Sequence, residues 1–370
     1  MANPLQKLLD EGVSVWLDSL SREMIRTGEL QRRIREDAVR GQTSNPTIFQ
    51  KAITVGTDYD DSIRDAARAG KSAEQACWEL MVSDVQKACD LFRPIYDQSA
   101  GADGYVSLEL DPTKAHDTDG SIAQALELWP LVNRPNLMLK VPGTTEGLPV
   151  IRQLLREGIN VNVTLLFAVS RYEEVMDAHM TGLEERLASG GSVDRLASVA
   201  SFFVSRVDTE ADKRMDRLSV DTSAVRGRIA VANALLAYEK FEERTAAPRW
   251  KKLEARGARH QRPLWASTST KNPSYADTLY VAELIGPQCV NTMPEDTIEA
   301  FRDHGVVRRT ITRESIAAAH RTMRQLGDLG VDIQDITLKT LVKEGVEKFA
   351  DSYRSLVAAI AEQMRQKVGS

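Results

Sequence analysis

Eight short apolar runs recur along the chain, and nearly all are followed by a stretch with helical spacing. They cover residues 13–20, 38–43, 104–110, 137–142, 159–167, 196–205, 263–268 and 289–294. Regular alternation of strand and helix builds a parallel sheet, because parallel strands need a long crossover between them. Eight such units favour a closed barrel over an open sheet. An open nucleotide-binding sheet would carry a glycine fingerprint after a strand. Neither G-x-G-x-x-G nor G-x-x-x-x-G-K-[ST] occurs. The expected fold is therefore α/β, a single (β/α)8 TIM barrel with additional helices, spanning residues 1–370.

The connecting segments carry their own start and stop signals. Asn3-Pro4 opens a short helix and Gly12 closes it. Helical spacing follows over 21–36, over 47–97 with breaks at Gly56 and Gly70, and over 121–132, 145–157 and 169–188. Further helices are expected over 206–217, 223–247 and 273–286. Residues 249–262 are basic, read as a loop and are the best candidate insertion, within a longer inserted region of about 206–262. The tail, about 312–370, reads as a helical extension. There Leu338, Val342, Val346, Phe349, Tyr353, Leu356, Ile360 and Met364 step by three or four and form a core-facing stripe.

Composition narrows the function classes. The formal net charge is -5, so there is no general basic field for nucleic acid. No apolar run approaches the ~18 residues of a membrane span, and residues 1–9 lack the apolar centre of a signal peptide. Cys77, Cys89 and Cys289 show no metal spacing and cannot all pair. A reducing cytoplasm is the expected compartment.

Barrel active sites lie at the C-terminal ends of the strands. The polar residues expected there are Asp18, Asn45, Glu109, Lys140, Asn162, Thr164, Ser201, Arg206, the run Ser267 to Lys271, and Asn291. Each has a structural explanation taken alone: Asp18 as a helix cap, Asn45 as a turn residue before proline, Glu109 as a partner for a lysine. Lys140, inside Leu137-Met138-Leu139-Lys140-Val141-Pro142-Gly143-Thr144, is the least ordinary. A buried ammonium is costly unless paired or neutral. It could snorkel to the surface, pair with a carboxylate, or serve as a neutral amine for Schiff-base chemistry. Asn162 and Thr164 are two apart, so their side chains share one side of a strand. The five histidines fall in expected loops and helices, which disfavours a serine–histidine triad or a zinc site.

One lysine with two carboxylates suits cleavage of a carbon–carbon bond. A neutral lysine attacks a ketone to give a carbinolamine and then an iminium. The iminium withdraws electrons as the adjacent bond breaks, and carboxylates move the protons. No cofactor or metal is required. Arg206 and Lys271, with the hydroxyls near them, suit an anionic group some distance from the amine.

Six segments resemble the transaldolases, in order and over most of the chain. They are Trp16-Leu17-Asp18, Thr43-Ser44-Asn45-Pro46, Val106-Ser107-Leu108-Glu109, Leu139-Lys140-Val141-Pro142-Gly143-Thr144, Asn160 to Phe167, and Ser201-Phe202-Phe203-Val204-Ser205-Arg206. The resemblance implies Lys140 as the Schiff-base lysine, and Glu109 as the acid/base working through a water held also by Thr164. It implies that Asp18 takes the proton from the hydroxyl whose carbon becomes the aldehyde. Asn45, Asn162 and Ser201 would bind hydroxyls of a dihydroxyacetone unit, while Arg206, Ser269 and Lys271 would hold phosphate. The implied substrates are phosphorylated sugars, and the implied assembly is a monomer or homodimer, with no nucleic acid or membrane partner.

Two departures stand out. Phe202 replaces the family's usual proline, and Ser269-Thr270-Lys271-Asn272 replaces its Ser-Phe-Arg-Asn. The chain is also longer than the commonest members and resembles the family's long branch. One alternative is an aldolase that releases free dihydroxyacetone. Its relatives resemble shorter chains with tyrosine in the place of Glu109. Another is a non-catalytic sugar-phosphate-binding barrel, which would have no use for a desolvated amine.

Overall fold

In a computed structural model, the described part of the chain is residues 3–368. The ends of the 1–9 and 312–370 segments, residues 1, 2, 369 and 370, lie outside it. Eight parallel strands close into a barrel in sequence order. They are β1 (Val13–Asp18), β2 (Val39–Thr43), β3 (Val106–Glu109), β4 (Leu137–Pro142), β5 (Val161–Leu166), β6 (Ser198–Phe203), β7 (Gln261–Ala266) and β8 (Cys289–Met293). The ring closes where β1 pairs with β8, Val13 opposite Cys289 through Leu17 opposite Met293. The strands are buried along nearly their whole length, as expected when side chains fill the interior and helices cover the outside.

Register decides which residues share a layer. Glu109 is opposite Lys140, and Lys140 is opposite Asn162. Asp18 on β1 is opposite Thr43 on β2, the strand that adjoins β3. Five consecutive strands, β1 to β5, thus contribute polar side chains toward the barrel mouth.

Local signals set the helix ends. Asn3 caps Pro4–Asp10 by accepting from the Leu5 N–H at 2.9 Å. Gly12 then turns the chain into β1 with φ +85°, and a Cβ there would sit 2.9 Å from Pro287 Cα. Only glycine meets both demands. Asn45 caps Pro46–Thr54, accepting from the Ile48 N–H at 3.0 Å. Gly28 divides the 21–36 stretch into two helices, Arg22–Arg26 and Glu29–Glu36.

Two expected segments are corrected. The basic 249–262 stretch is a loop only over 255–260: Pro248–Glu254 is helical and Gln261 already belongs to β7. Trp250 and Leu253, three apart, bury one face of that turn. Its charges meet partners, Arg249 reaching Glu184 at 2.7 Å and Asp177 at 3.3 Å, both on the helix Val169–Ala188. The helix expected over 273–286 is reduced to Leu279–Ala282. Asn272 accepts from the Ser274 N–H at 3.0 Å, and its carbonyl accepts from the Tyr275 N–H at 3.1 Å. This side-chain turn competes with helix formation there.

The tail is helical over Arg313–Asp328 and Leu341–Val368. Its stripe begins later than expected, because Leu338 is 36% exposed within a π-helical turn, Asp335–Thr340. Phe349, Tyr353, Leu356, Ile360 and Met364 are buried, with Val342 and Val346 partly so. This C-terminal helix lies against Pro46–Thr54, Asp60–Arg68 and Ala73–Gln98. No described helix is long and apolar enough to cross a membrane.

His179 supplies a stability prediction. It is buried in Val169–Ala188 and stacked on Trp250, with ring centroids 5.9 Å apart. Burial, with His260 as a lesser cause, holds its imidazole down at about 3. An unfolded histidine takes up its proton near pH ~6.5, so between there and about pH 3 the unfolded chain binds more protons. Stability from this group is present above the unfolded value and is lost on acidification. His179→Phe keeps the stacked ring and removes the titration. Its acid-unfolding midpoint, followed by circular dichroism, is expected below that of the wild type; an unchanged midpoint contradicts the assignment.

Candidate active site

A cavity of about 250 Å³ opens at the C-terminal ends of the strands. Eight of the ten residues expected in the site line it: Asp18, Asn45, Lys140, Thr164, Ser201, Arg206, Ser269 and Lys271. Glu109 and Asn162 are not in its wall. They are buried and act through the residues that are, Glu109 against Lys140 and Asn162 against Ser201.

Lys140 does not snorkel. It is 4% exposed, and its Nζ donates to the Ser44 carbonyl at 3.0 Å. Glu109 Oε2 lies 3.1 Å away, within ion-pair distance but off the direction of a good hydrogen bond. The two sites are therefore coupled. Burial pushes the Glu109 carboxyl up, and Lys140 is the largest opposing influence. A carboxyl held up by burial beside a lysine is placed to exchange protons with a bound substrate. The neutral amine is the form that attacks a carbonyl.

Asp18, half-buried at the end of β1, is the second carboxyl. Burial raises it, while Lys140, the Thr43 hydrogen bond, Arg206 and Lys271 pull it down. Thr43 Oγ1 donates to Asp18 Oδ1 at 2.7 Å and lies 2.7 Å from Thr292 Oγ1. Its single proton is committed to Asp18, so Thr292 is the donor in the second bond. The chain Thr292 to Thr43 to Asp18 fixes one carboxylate oxygen and leaves the other for chemistry.

The amide of Asn162 is oriented by two hydroxyls. Ser201 donates to its Oδ1 at 2.7 Å, and its Nδ2 donates to Ser107 Oγ at 3.0 Å. Thr164 Oγ1, on the same strand, is buried with no hydrogen-bond partner among the described residues. The Asn45 carbonyl oxygen is taken by its capping bond, which leaves the amide nitrogen able to donate into the cavity. Asn291 is buried but takes no part in the wall, accepting from Thr268 at 3.0 Å.

The cavity wall also carries cations. Arg206 stacks on Phe203, with its guanidinium carbon 5.1 Å from the ring centroid. Burial lowers its guanidinium, against Glu109, Glu344 and Asp18. Lys271 donates to Ser269 Oγ at 2.7 Å and is otherwise exposed. Several wall residues were not legible in the sequence. Lys51 lies one and a half turns into Pro46–Thr54, and Lys348 and Phe349 come from the C-terminal helix. Phe349 belongs to the tail stripe, but the stripe alone does not say that the helix docks over the mouth.

A barrel mouth with a buried lysine beside one buried and one half-buried carboxyl suits lysine-dependent aldol chemistry. The family model for transaldolase/fructose-6-phosphate aldolase matches residues 15–360. The transaldolase of Acidothermus cellulolyticus is 52% identical over 366 residues, 99% of this chain and 98% of that one. That of Parafrankia sp. is 52% identical over 365 residues, 98% and 99% of the two chains. That of Mycolicibacterium smegmatis is 48% identical over 364 residues, 98% of each. The chain belongs to the transaldolase/fructose-6-phosphate aldolase family.

Proposed function

We propose that this chain is a transaldolase, a transferase that moves a dihydroxyacetone unit between phosphorylated sugars through a Schiff base on Lys140. The donor is sedoheptulose 7-phosphate and the acceptor glyceraldehyde 3-phosphate, giving erythrose 4-phosphate and fructose 6-phosphate in the non-oxidative pentose phosphate pathway. The observation that carries the reading is the buried Lys140–Glu109 pair at the barrel mouth, 3.1 Å apart.

The steps follow from the positions of the groups. Glu109 takes the ammonium proton, and the neutral Lys140 amine attacks the ketone carbon. Glu109 returns a proton to the carbinolamine hydroxyl, which leaves as water and gives the iminium. Thr164 Oγ1, buried and unpartnered, supports a relay to Glu109. Asp18 removes the proton of the hydroxyl on the carbon beyond the bond that breaks. That carbon becomes the aldehyde, and the bonding electrons pass to the iminium as an enamine. The enamine attacks the acceptor aldehyde, Asp18 returns the proton to the new hydroxyl, and water releases the product ketose. Asn45, Ser201 and Asn162 suit the hydroxyls of the three-carbon unit, and Arg206, Ser269 and Lys271 suit the phosphate. Residues 1–370 act as one barrel, with 206–262 and 312–370 as additions, in a monomer or homodimer of the cytoplasm. The three buried free cysteines suit that compartment.

Incubation with fructose 6-phosphate and borohydride, followed by peptide mass mapping, is expected to place the adduct on Lys140. An unlabelled Lys140 overturns the reading. Turnover is expected to require an aldehyde acceptor; release of free dihydroxyacetone at the same rate without one would make the chain an aldolase. Lys271→Arg offers a planar fork to the phosphate. A KM lowered by about two- to fivefold at unchanged kcat is expected, because phosphate is held alike in ground and transition states. A fall in kcat would contradict that assignment.

A further inference from the structure

Four cations line one side of the cavity: Arg206, Lys271, Lys51 and Lys348. None of them has a carboxylate within ion-pair distance among the described residues, although such pairs are common elsewhere on the molecule. In a chain of net charge -5, an unbalanced cluster of this kind is a site for an anion. Lys348 also sits close enough to Arg206, Lys271 and Lys51 for all three to hold its ammonium below the ordinary range, with burial the larger cause. Like charges so placed repel one another until an anion neutralises them.

The C-terminal helix is fitted to this place. Gly345 packs so closely that a Cβ would lie 2.9 Å from Leu165 Cδ2 and 3.6 Å from Arg206 Nη1. One turn on, the Phe349 ring stands 5.9 Å from both Lys140 Nζ and the Arg206 guanidinium carbon. An apolar ring thus adjoins both the reactive amine and the cations. Lys348, next to it in the chain, reaches the cationic side.

We propose that Lys348 of the C-terminal helix, with Lys51, is a phosphate-binding residue that completes with Arg206 and Lys271 a four-cation cradle for the substrate monophosphate. This rests on the transaldolase reading for the identity of the ligand. The two added ammonium groups supply charge at the mouth where Lys271 lacks the fork of an arginine. The tail is then part of the active site and not only a brace for the barrel.

Direct titration of the full chain with inorganic phosphate, by calorimetry, tests the cradle without any turnover. Lys348→Ala is expected to weaken phosphate binding about five- to tenfold at low salt, and Lys348→Arg to retain it. With fructose 6-phosphate, Lys348→Ala is expected to raise KM by a similar factor while kcat changes less than about twofold. Its loss with phosphorylated donor should exceed its loss with unphosphorylated fructose at least about fivefold. Unchanged phosphate affinity, or equal losses with both donors, overturns the proposal. Failure of borohydride to label Lys140 overturns the transaldolase reading alone, because phosphate affinity is measured independently of it.

Discussion

Lys140→Met is expected to abolish turnover and the borohydride adduct while the protein stays folded. Methionine has nearly the reach of lysine and no nucleophile. Loss of the nucleophile in other covalent enzymes costs on the order of 10⁶ in kcat. The fold should tolerate the change for a specific reason. The site already buries Lys140 to 4% exposure, so an apolar side chain of similar volume belongs there. Glu109 loses its cation but escapes the penalty by taking a proton, since burial already pushes its carboxyl up. The change in stability should stay within about 2 kcal/mol. Activity assays and thermal unfolding check the two halves together. Residual activity above about one part in 10³ of wild type would remove Lys140 from the covalent step.

Glu109→Gln is expected to lower kcat by about 10²- to 10⁴-fold, the usual range for loss of a general acid/base. Gln keeps the shape and cannot shuttle the proton that carbinolamine dehydration needs. Lys140 remains, so slow adduct formation with borohydride should persist on long incubation. That combination separates a proton carrier from the nucleophile. The variant should also unfold more easily, because removing one member of a buried ion pair costs about 3–5 kcal/mol when the other charge stays uncompensated. Full activity in Glu109→Gln would leave its contact with Lys140 as a purely structural ion pair.

The Lys140–Glu109 contact also shows where the sequence stopped short. The chain leaves three fates for a lysine inside Leu137–Thr144: snorkelling, pairing or chemistry. Register answers the first two, because Glu109 and Lys140 are cross-strand neighbours at the ring's mouth. Pairing and chemistry then prove compatible, since the partner is itself a group that burial makes ready to accept a proton. Asn162 and Glu109 were legible as members of the site but not as residues behind its wall. Strand periodicity gives the side of a strand, not the depth at which a neighbour covers it. The basic 249–262 stretch misled in the opposite direction. Its charges resemble a solvated loop until the partners Asp177 and Glu184 on a neighbouring helix are in view.

The sequence by itself determined the barrel and the residue types at its strand ends. Those depend on local periodicity, on turn residues and on short segments that keep their residue types together. The tertiary structure decided what encloses the mouth. Lys51 follows Asn45 by six residues, yet only the angle of Pro46–Thr54 brings it to the cavity. Lys348 and Phe349 lie more than 200 residues from Lys140 in the chain, and the stripe that carries Phe349 says only that one face is buried. Which surface buries it depends on the shape of three other helices and on the space that Gly345 leaves beside Arg206. Packing between distant segments has no local periodicity to announce it, so the reach of the tail into the active site is a property of the folded molecule.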